Sequence, residues 1–350
     1  MFIFQQEHMD IAKRVNEIRK FEVKDIVKRL KVISCEDVKI KNFPEKTPKA
    51  VFNPALKIEK DSLILYGRIC IGYYTYTSSI IELRVTFDEL YSSDKRIYEG
   101  DIIIFPSNNF DFWGVEDPRY SVIKDKEFIT YCGRTVNYFQ THIRVERTLP
   151  VCAVKTDEGW RKVAVFRMPE GIREFVVSDK NAFLFYGEEL MLFHRLHLLD
   201  EKFYLNICKI PSDILYHTEF HELKVGRTLI TLEPAEFEKK IGWCTPPIKV
   251  NDHDEYLVLL HGVDKDLTVY RVFAALINSK GHFTAVTPYY IMEPKELYEI
   301  YGDRPYVVFP CGAQIYDGKL YIAYGGADSV IGIGELDLQT LLDVLYDNRI

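Results

Sequence analysis

Cysteine is sparse in this chain and never occurs in the short spacings that bind metal. Seven cysteines lie scattered through 350 residues, and no C-x-x-C motif is present. Small secreted domains carry dense cysteine frameworks, and zinc ribbons carry paired C-x-x-C motifs. The sequence therefore argues against both classes and predicts free thiols, which indicates a protein of a reducing, cytoplasmic compartment.

Long apolar runs and an excess of positive charge are also missing. No stretch reaches the roughly 18 uncharged apolar residues of a membrane helix, and the N-terminal sequence MFIFQQEHMDIAKRV lacks the cationic start of a secretory signal. The chain has 45 Lys and Arg against 52 Asp and Glu, a net charge of −7. We therefore expect neither a membrane nor a nucleic-acid partner, because nucleic-acid phosphates require concentrated Lys and Arg.

Common catalytic and metal motifs are missing as well. G-x-S-x-G, the Walker loop and H-E-x-x-H do not occur. His217 and His221 are spaced i, i+4, but no third ligand accompanies them, so no metal site is predicted. The glycines of VIGIGEL are not followed by an amphipathic helix, so no dinucleotide-binding fold is predicted either.

The N-terminal segment has a helical pattern. Ile11, Val15 and Ile18 recur at i, i+4 and i+7, and further apolar residues continue to Leu30 among Lys, Arg and Glu. The pattern predicts a helical extension over residues 1–40. Because its polar face mixes both charge signs, packing on its own domain or a sister subunit is favoured over membrane binding. We also expect a homo-oligomer assembled partly through residues 8–31.

Further along, the chain takes the pattern of strands and turns and repeats itself. Five segments share a polar turn followed by an apolar strand: DSLILYGRI, DKEFITYCGR, GEELMLFHRL, DEYLVLLHGV and DGKLYIAYGG. Each follows another strand, and the opening residues of those strands recur every 64–66 residues: Asn53, Asp117, Asn181, Thr245 and Cys311. One such sheet cannot bury both of its faces alone. The repeat therefore predicts an all-β fold, a five-bladed β-propeller over residues 41–350, with the N-terminal helical extension in front of it.

One opening residue stands in an unusual setting. The stretch NNFDFWGVEDPRYSVI places Glu116 and Asp117 among aromatic residues and beside Arg119. A carboxyl group next to aromatic surface loses hydration, which raises its pKa and suits it to proton donation, whereas an adjacent Arg acts in the opposite direction. The alternative is a turn with a simple Asp–Arg pair.

Cationic residues recur at the ends of the repeated strands and at one opening position: Arg68, Arg134, His194, Arg195, His261 and Lys180. Any one of them alone would be an ordinary solvated charge. Their equivalent positions in successive repeats place several of them at one end of the propeller. In a chain of negative net charge, this indicates a bound anion such as phosphate or sulfate.

Several longer motifs then occur in one order: NFDFWGVEDPR, DKNAFLF with LFHR, IGWCTPPIK with LLHGVD, and VVFPCGAQIYDGKLYIAYGGADSVIGI. With these motifs the chain resembles glycoside hydrolase family 130, the β-mannoside phosphorylases and related hydrolases, from about Asn53 to Leu336. The fold of that family is a five-bladed propeller, in agreement with the repeat.

The resemblance implies inverting phosphorolysis of a β-mannoside, which releases α-mannose 1-phosphate, and the reverse synthesis. Inorganic phosphate is then a co-substrate, with no other cofactor. The general acid of the family falls on Asp117, which protonates the glycosidic oxygen by way of a mannose hydroxyl. The implied phosphate ligands are Arg134, Lys180, His194 and Arg147. The implied substrate-binding residues are Asn53, Arg68, Glu116, His261, Tyr270 and Asp328.

Two other functions stay open from sequence. The first is hydrolysis by the same fold, which requires a carboxylate base across the sugar from Asp117. The second is a non-catalytic sugar-binding propeller. The linkage, β-1,2 or β-1,4, and the acceptor sugar are also open, because residues 70–105 and the loop 135–150 depart from the family pattern.

Overall fold

The computed structural model describes residues 2–3, 6–72 and 74–350. These residues form five β-sheets, one for each predicted repeat, so the five-bladed β-propeller is confirmed. The N-terminal segment contains β1 (Phe2–Ile3), α1 (Gln6–Ile18), β2 (Lys28–Ile33), a short 3-10 turn (Cys35–Asp37) and β3 (Val38–Ile40).

The strands of the five blades follow in chain order. Blade 1 contains β4 (Ala50–Glu59), β5 (Ser62–Cys70), β6 (Ser78–Thr86), α2 (Phe87–Tyr91) and β7 (Tyr98–Ile104). Blade 2 contains β8 (Val115–Ile123), β9 (Lys126–Arg134), β10 (Thr148–Thr156) and β11 (Gly159–Arg167) and is followed by α3 (Glu170–Arg173). Blade 3 contains β12 (Val176–Tyr186), β13 (Leu190–Leu198) and β14 (Phe203–Lys209); a 3-10 turn (Ser212–Tyr216), β15 (His221–Lys224) and β16 (Thr228–Leu232) come next. Blade 4 contains β17 (Glu238–Trp243), β18 (Ile248–Lys249), β19 (Tyr256–Asp264), β20 (Tyr270–Ile277) and β21 (Phe283–Val286) and is followed by α4 (Leu297–Ile300). Blade 5 contains β22 (Val308–Tyr316), β23 (Lys319–Gly326) and β24 (Val330–Asp337), and α5 (Leu338–Tyr346) ends the chain.

The strand order shows how the blades are completed. Within each blade the consecutive strands pair antiparallel, and the outer edge is extended by a strand from elsewhere in the chain in four of the five sheets. Thus β3 pairs with β7, β15 with β11 and β16 with β14, while β2 pairs with β24. Strand β2 comes from the N-terminal segment and β24 from the C-terminal blade. This last pairing therefore links the N-terminal and C-terminal parts of the chain.

The hydrophobic core lies between neighbouring blades. Successive residues of a strand point to opposite faces of its sheet, so Ala182 and Leu184 of β12 pack towards blade 2 while Phe183 and Phe185 pack towards blade 4. Five apolar clusters of this kind fill the five spaces between blades. Each blade is therefore buried on both faces. A single sheet could not bury both of its faces alone, so the blades are stable only when packed together in the ring.

The N-terminal helix is shorter than the sequence indicates. Helix α1 ends at Ile18, and the helix predicted to continue to Leu30 is wrong, because residues 28–33 form strand β2. The edge strand of blade 5, β24, is open to pairing. By pairing with it, residues 28–33 satisfy more of their backbone hydrogen-bonding groups than a single isolated helical turn would. The segment assigned to the extension thus supplies outer strands to blades 5 and 1.

Helix α1 packs on its own propeller, across the seam between blades 3 and 4. Val15 is fully buried in the cluster that joins these blades. Directly after the helix, the buried Arg19 guanidinium lies 2.6 Å from Glu238 Oε1 and 3.6 Å from the centre of the Phe273 ring. Self-association of the chain stays a prediction. Among the described residues, no helix is long and apolar enough to cross a membrane.

Candidate active site

Three inner strands share one irregularity, and it positions the polar side chains. Asn53, Asp117 and Asn181 have backbone φ angles of 47°, 49° and 55°, in the left-handed region. Each lies at a β-bulge where one extra residue enters the inner strand. A bulge bends the strand and re-aims a side chain, and Asn and Asp are the non-glycine residues that best tolerate this conformation. All three side chains consequently line one cavity.

This finding corrects the placement of the opening residues. We expected the inner strands to begin at them, but β4, β8 and β12 begin three, two and five residues earlier, at Ala50, Val115 and Val176. The recurring polar residue therefore marks the bulge and not the strand start. Thr245 and Cys311 are buried and do not line the cavity. The Thr245 hydroxyl accepts a hydrogen bond from the Leu259 amide, which is a structural role.

The cavity lies at one end of the inner strands and has a volume of about 630 Å³, within the range of small-molecule sites. It collects most of the residues proposed from sequence: Asn53, Arg68, Glu116, Asp117, Lys180, His261, Tyr270 and Asp328. Arg195, which belongs to the recurring cationic residues but not to the implied phosphate ligands, also lines the cavity. Residues that the sequence did not single out for ligand binding complete the wall, chiefly Tyr74, Tyr76, Phe139, Lys240, Asp303 and Arg304.

Glu116 is a permanently charged anchor. Its side chain is buried and accepts hydrogen bonds from Arg134 Nε at 2.7 Å, Arg68 Nη2 at 3.0 Å and the Tyr138 hydroxyl at 3.2 Å. Burial alone would raise the pKa of its carboxyl, but Arg134, Arg68 and Lys180 hold that pKa well below the usual range. Glu116 therefore carries no proton to donate, and it orients the cations around it.

Asp117 has the geometry of a proton donor. Its Oδ1 accepts hydrogen bonds from Asn53 Nδ2 at 2.8 Å and Arg68 Nη1 at 3.1 Å. Within the described parts of the chain, its Oδ2 makes no hydrogen bond, and 12% of the side chain is exposed to the cavity. One oxygen is thus fixed by the protein, while the other has no hydrogen-bond partner among the described residues.

Arg119 supports the backbone of Asp117 from behind. It is fully buried, and it donates hydrogen bonds of 2.6 Å to the carbonyl oxygens of Asp117 and Cys244. These bonds tie the bulge of blade 2 to the break between β17 and β18 in blade 4. The E-D-P-R motif therefore supplies a buried anchor in Glu116, a carboxyl group in the cavity wall in Asp117 and a brace in Arg119.

A second part of the wall is strongly cationic. Lys180, Arg195, Lys240 and Arg304 all line the cavity. Among the described residues, no carboxylate lies within 4.0 Å of the charged nitrogens of Arg195, Lys240 or Arg304. Burial and the nearby Arg195 and Arg304 hold the pKa of Lys240 well below its usual range, and Lys240 donates a hydrogen bond to the Tyr270 hydroxyl. Positive charge crowded in this way is stabilised by an anion.

Unsatisfied buried atoms line the same region. The Nε of Arg195, the Nε2 of His261 and the Oδ1 of Asn181 are buried and have no hydrogen-bond partner. Burial, followed by the field of Arg195 and Lys240, holds the pKa of His261 well below its usual range, so this imidazole is neutral. Gly242 makes room for it, because a Cβ there would lie 2.1 Å from His261 Cε1. Buried polar atoms without partners are rare in native proteins, and these three belong to residues that line the cavity.

Asp328 adds an unusual carboxyl to the wall. It lies in the turn between β23 and β24 with a φ of 52°. Burial, only partly opposed by Arg68 and reinforced by Asp117, raises the pKa of Asp328 to about 6. Its protonation state therefore changes just below neutral pH.

Three of the predicted phosphate ligands do not reach the cavity. The Arg134 guanidinium makes two hydrogen bonds to Glu116 and lies 3.6 Å from the centre of the Tyr138 ring. Arg147 donates to the carbonyl oxygens of Gln140 and Ile143 at 2.8 and 2.5 Å, inside its own loop. Both guanidinium groups hydrogen-bond oxygen atoms of the protein, and neither residue lines the cavity.

His194, the third, is fully buried, and its Nδ1 lies 2.9 Å from Asp179 Oδ2. Burial lowers the pKa of His194, but Asp179 raises it more, to about 10. The neighbouring Arg195 lines the cavity instead. The strand register shows why. In blade 3, Arg195 pairs with Lys180, the residue directly before the bulge at Asn181. In blade 1, Arg68 occupies the equivalent position, paired with Phe52 directly before the bulge at Asn53. Aligning the repeats by their bulges would have selected Arg195.

Among the described residues, no three His, Cys, Asp or Glu side chains lie together in a way that could hold an ion. The rings of His217 and His221 are 4.4 Å apart, without a third ligand.

The sequence is similar to known glycoside-processing proteins along most of its length. Residues 17–347 match the sequence profile of glycoside hydrolase family 130, described as β-1,4-mannooligosaccharide phosphorylase. The chain belongs to glycoside hydrolase family 130. This membership confirms the resemblance seen in the motifs and the prediction of an enzyme of the mannoside phosphorylase family.

Individual relatives within family 130 are distant. The β-1,2-mannobiose phosphorylase of Thermoanaerobacter sp. strain X514 is 29% identical over 311 residues, which cover 83% of this chain and 90% of that protein. The 1,2-β-oligomannan phosphorylase of the same organism is 29% identical over 235 residues, 65% of this chain and 70% of that protein. The β-1,2-mannobiose phosphorylase from Listeria innocua, solved with β-1,2-mannobiose, superposes with a TM-score of 0.68 at 18% identity, covering 92% and 97% of the two chains. That superposition supports the fold.

Proposed function

We propose that this family 130 enzyme catalyses the inverting phosphorolysis of β-mannosides, releasing α-mannose 1-phosphate, and the reverse synthesis. The observation that carries the proposal is a single cavity with two chemically different parts. One part holds a carboxyl group, Asp117, with a free oxygen, and the other holds cations that lack carboxylate partners. The phosphorylase names of the relatives support the same reaction class.

Asp117 is the proton donor in this mechanism. In an inverting displacement, the acid and the nucleophile act on opposite faces of the anomeric carbon. Asp117 gives its proton towards the glycosidic oxygen by way of a mannose hydroxyl, the bond from the anomeric carbon to that oxygen breaks, and a phosphate oxygen forms the new bond. Asp117 is then reprotonated from solvent. Asn53 and Arg68 hold Oδ1 still, so the free Oδ2 is the atom that exchanges the proton.

The cation cluster binds and orients the phosphate. Lys180, Arg195, Lys240 and Arg304 offer several N–H donors, and the neutral His261 and Tyr270 add polar contacts beside them. Phosphate is already a nucleophile at neutral pH, so the mechanism needs no second carboxylate as a base. Inorganic phosphate is a co-substrate here, and no other cofactor enters the reaction. The cleaved mannose lies between the two parts of the cavity, against Asn53, Arg68 and Asp328.

A phosphate-dependence assay tests this function. The enzyme is incubated with β-1,2- and β-1,4-linked mannobiose and mannotriose, with and without inorganic phosphate. We expect mannose 1-phosphate to appear only with phosphate. Equal release of free mannose in both conditions, without mannose 1-phosphate, would instead show hydrolysis. The preferred disaccharide in the same assay decides the linkage.

A second assay separates catalysis from sugar binding. Asp117→Asn removes the acid proton while keeping the size of the side chain. A sugar-binding propeller without catalysis predicts that this variant matches the parent in every measurable property. Loss of turnover with sugar binding retained in calorimetry excludes that alternative.

A further inference from the structure

Two aromatic rings lie exposed at the rim of the cavity. Tyr74 belongs to the loop between β5 and β6, and Phe139 belongs to the loop between β9 and β10. Their ring centroids are 4.8 Å apart with an interplanar angle of 23°, so the rings are stacked. Tyr74 is 77% exposed and Phe139 is 58% exposed, and both line the cavity. Blades 1 and 2 together present this rim pair, Tyr74 and Phe139, to the bound ligand.

The loop that carries Phe139 is anchored to the catalytic carboxylates. The preceding residue, Tyr138, lies over the Arg134 guanidinium at 3.6 Å from its ring centre, and its hydroxyl donates to Glu116 at 3.2 Å. Because Glu116 directly precedes Asp117, the position of Phe139 is tied to the position of the acid.

The loop that carries Tyr74 is anchored from the other side. Tyr76 donates a hydrogen bond of 2.5 Å to Asp303 Oδ1, and its ring meets that of Tyr138 edge-on at 5.9 Å. The two rim loops therefore hold each other. The rings of Tyr74 and Phe139 are exposed, although apolar surface is ordinarily buried. A patch of exposed apolar surface at a cavity indicates a binding site.

The rim pair lies on the side of the leaving sugar. Phe139 is anchored through Tyr138 to Glu116, next to Asp117. Most of the cation cluster, Lys180, Arg195 and Lys240, belongs to blades 3 and 4, whereas the rim pair belongs to loops of blades 1 and 2. Acid and phosphate act on opposite faces of the anomeric carbon, so the sugar that departs with the proton lies towards Asp117.

We propose that Tyr74 and Phe139 form a stacking platform for the leaving-group sugar, which is the acceptor in the synthetic direction. This inference rests on the proposed phosphorolysis. Because the two rings are stacked on each other, the outward face of each remains open. An open aromatic face matches the C–H face of a pyranose, while sugar hydroxyls at the edge remain free to bond water. Since neither ring is charged, the platform selects a neutral pyranose. It makes Tyr74 and Phe139 determinants of acceptor affinity and not of phosphate affinity.

Synthesis kinetics with matched variants test the platform. Tyr74→Ala and Phe139→Ala are compared with Phe112→Ala, whose ring is 59% exposed and lies outside the cavity. Each platform variant should raise the KM for mannose as acceptor about 5- to 10-fold and leave the KM for mannose 1-phosphate within about twofold of the parent. Phe139→Tyr should keep the acceptor KM of the parent, and Phe112→Ala should change neither constant.

The same variants are then measured without catalysis, so that the platform and the proposed reaction are judged separately. Mannobiose and mannotriose are titrated by calorimetry into Asp117→Asn and into its double variants with Tyr74→Ala or Phe139→Ala. Weaker binding by the double variants supports the platform even if the parent forms no mannose 1-phosphate. Unchanged binding and unchanged acceptor KM overturn it, as do equal increases in the KM for acceptor and mannose 1-phosphate.

Discussion

We expect Asp328 to make the chain less stable at neutral pH, and removing its charge should reverse this effect. Its carboxyl lies in the cavity wall near Asp117, and burial is the first cause that raises its pKa to about 6. Asp328→Asn keeps the size of the side chain and tolerates the left-handed backbone at this position, where φ is 52°. The substitution therefore isolates the effect of the charge.

The magnitude follows from the difference between the folded and unfolded pKa of Asp328. The carboxyl has a pKa of about 6 in the folded chain against a reference value of 3.8, and one unit corresponds to about 1.4 kcal/mol. Between these two values the folded state keeps a proton that the unfolded state has released, so the free energy of unfolding falls as the pH rises. The full effect above pH 6 is about 3 kcal/mol. Part of the residue is exposed, so solvent screening makes this value an upper limit.

Urea denaturation of the parent and Asp328→Asn at a series of pH values from 3.5 to 8 measures this effect. The two proteins should be equally stable below the reference pKa of 3.8, and the variant should be more stable by up to about 3 kcal/mol above pH 6. With an unfolding entropy of about 2.1 cal/mol/K per residue, that difference corresponds to roughly 4 °C in Tm. A pH-independent difference between the two proteins, or a less stable variant at pH 7, would refute the reasoning. The variant should also bind substrate more weakly, because an active site keeps such strain for function.

Three further substitutions test the two parts of the cavity. Asp117→Asn should lower kcat/KM by about 10²- to 10⁴-fold. The increase in Tm caused by added phosphate should be the same as in the parent. Normal turnover of the variant would show that Asp117 is not the acid. Glu116→Gln leaves the guanidinium groups of Arg68 and Arg134 without their buried carboxylate. It should therefore lower the free energy of unfolding, measured in urea, by about 3–5 kcal/mol. A loss below about 1 kcal/mol would contradict the anchor role. Arg195→Met should raise the KM for phosphate about 10-fold or more, because a charge-assisted hydrogen bond is lost. The KM for mannobiose should change less. A larger change in the KM for mannobiose than in that for phosphate would instead place Arg195 at the sugar.

The repeat was predictable because every blade solves the same packing problem. Each blade must present two apolar faces to its neighbours, so the alternation and the turn residues recur along the chain at a nearly constant interval. The position of Asp117 was predictable for a related reason. Its motif puts two carboxylates and an Arg within four strand positions, a combination that ordinary turns do not need.

The course of residues 19–33 was not predictable from periodicity. Val27 and Leu30 fit a helical stripe, yet the chain there pairs with β24. That edge is created only when the C-terminal blade has formed, more than 300 residues away in sequence. Tertiary pairing of this kind outweighs a local preference worth a few tenths of a kcal/mol per residue.

The amino-acid sequence alone determined the number of blades, because this depends on a repeated pattern, and from residue types it also led to the predictions of an acid at Asp117 and of a bound anion. The tertiary structure alone decided which cations meet the anion. His194 and Arg195 are consecutive residues of β13 and point to opposite faces, so the register of β13 against the bulged strand β12 decides that Arg195 lines the cavity and His194 is buried behind it. Lys240 and Arg304 come from segments outside the repeated motifs, and only the closure of the ring brings them to Lys180.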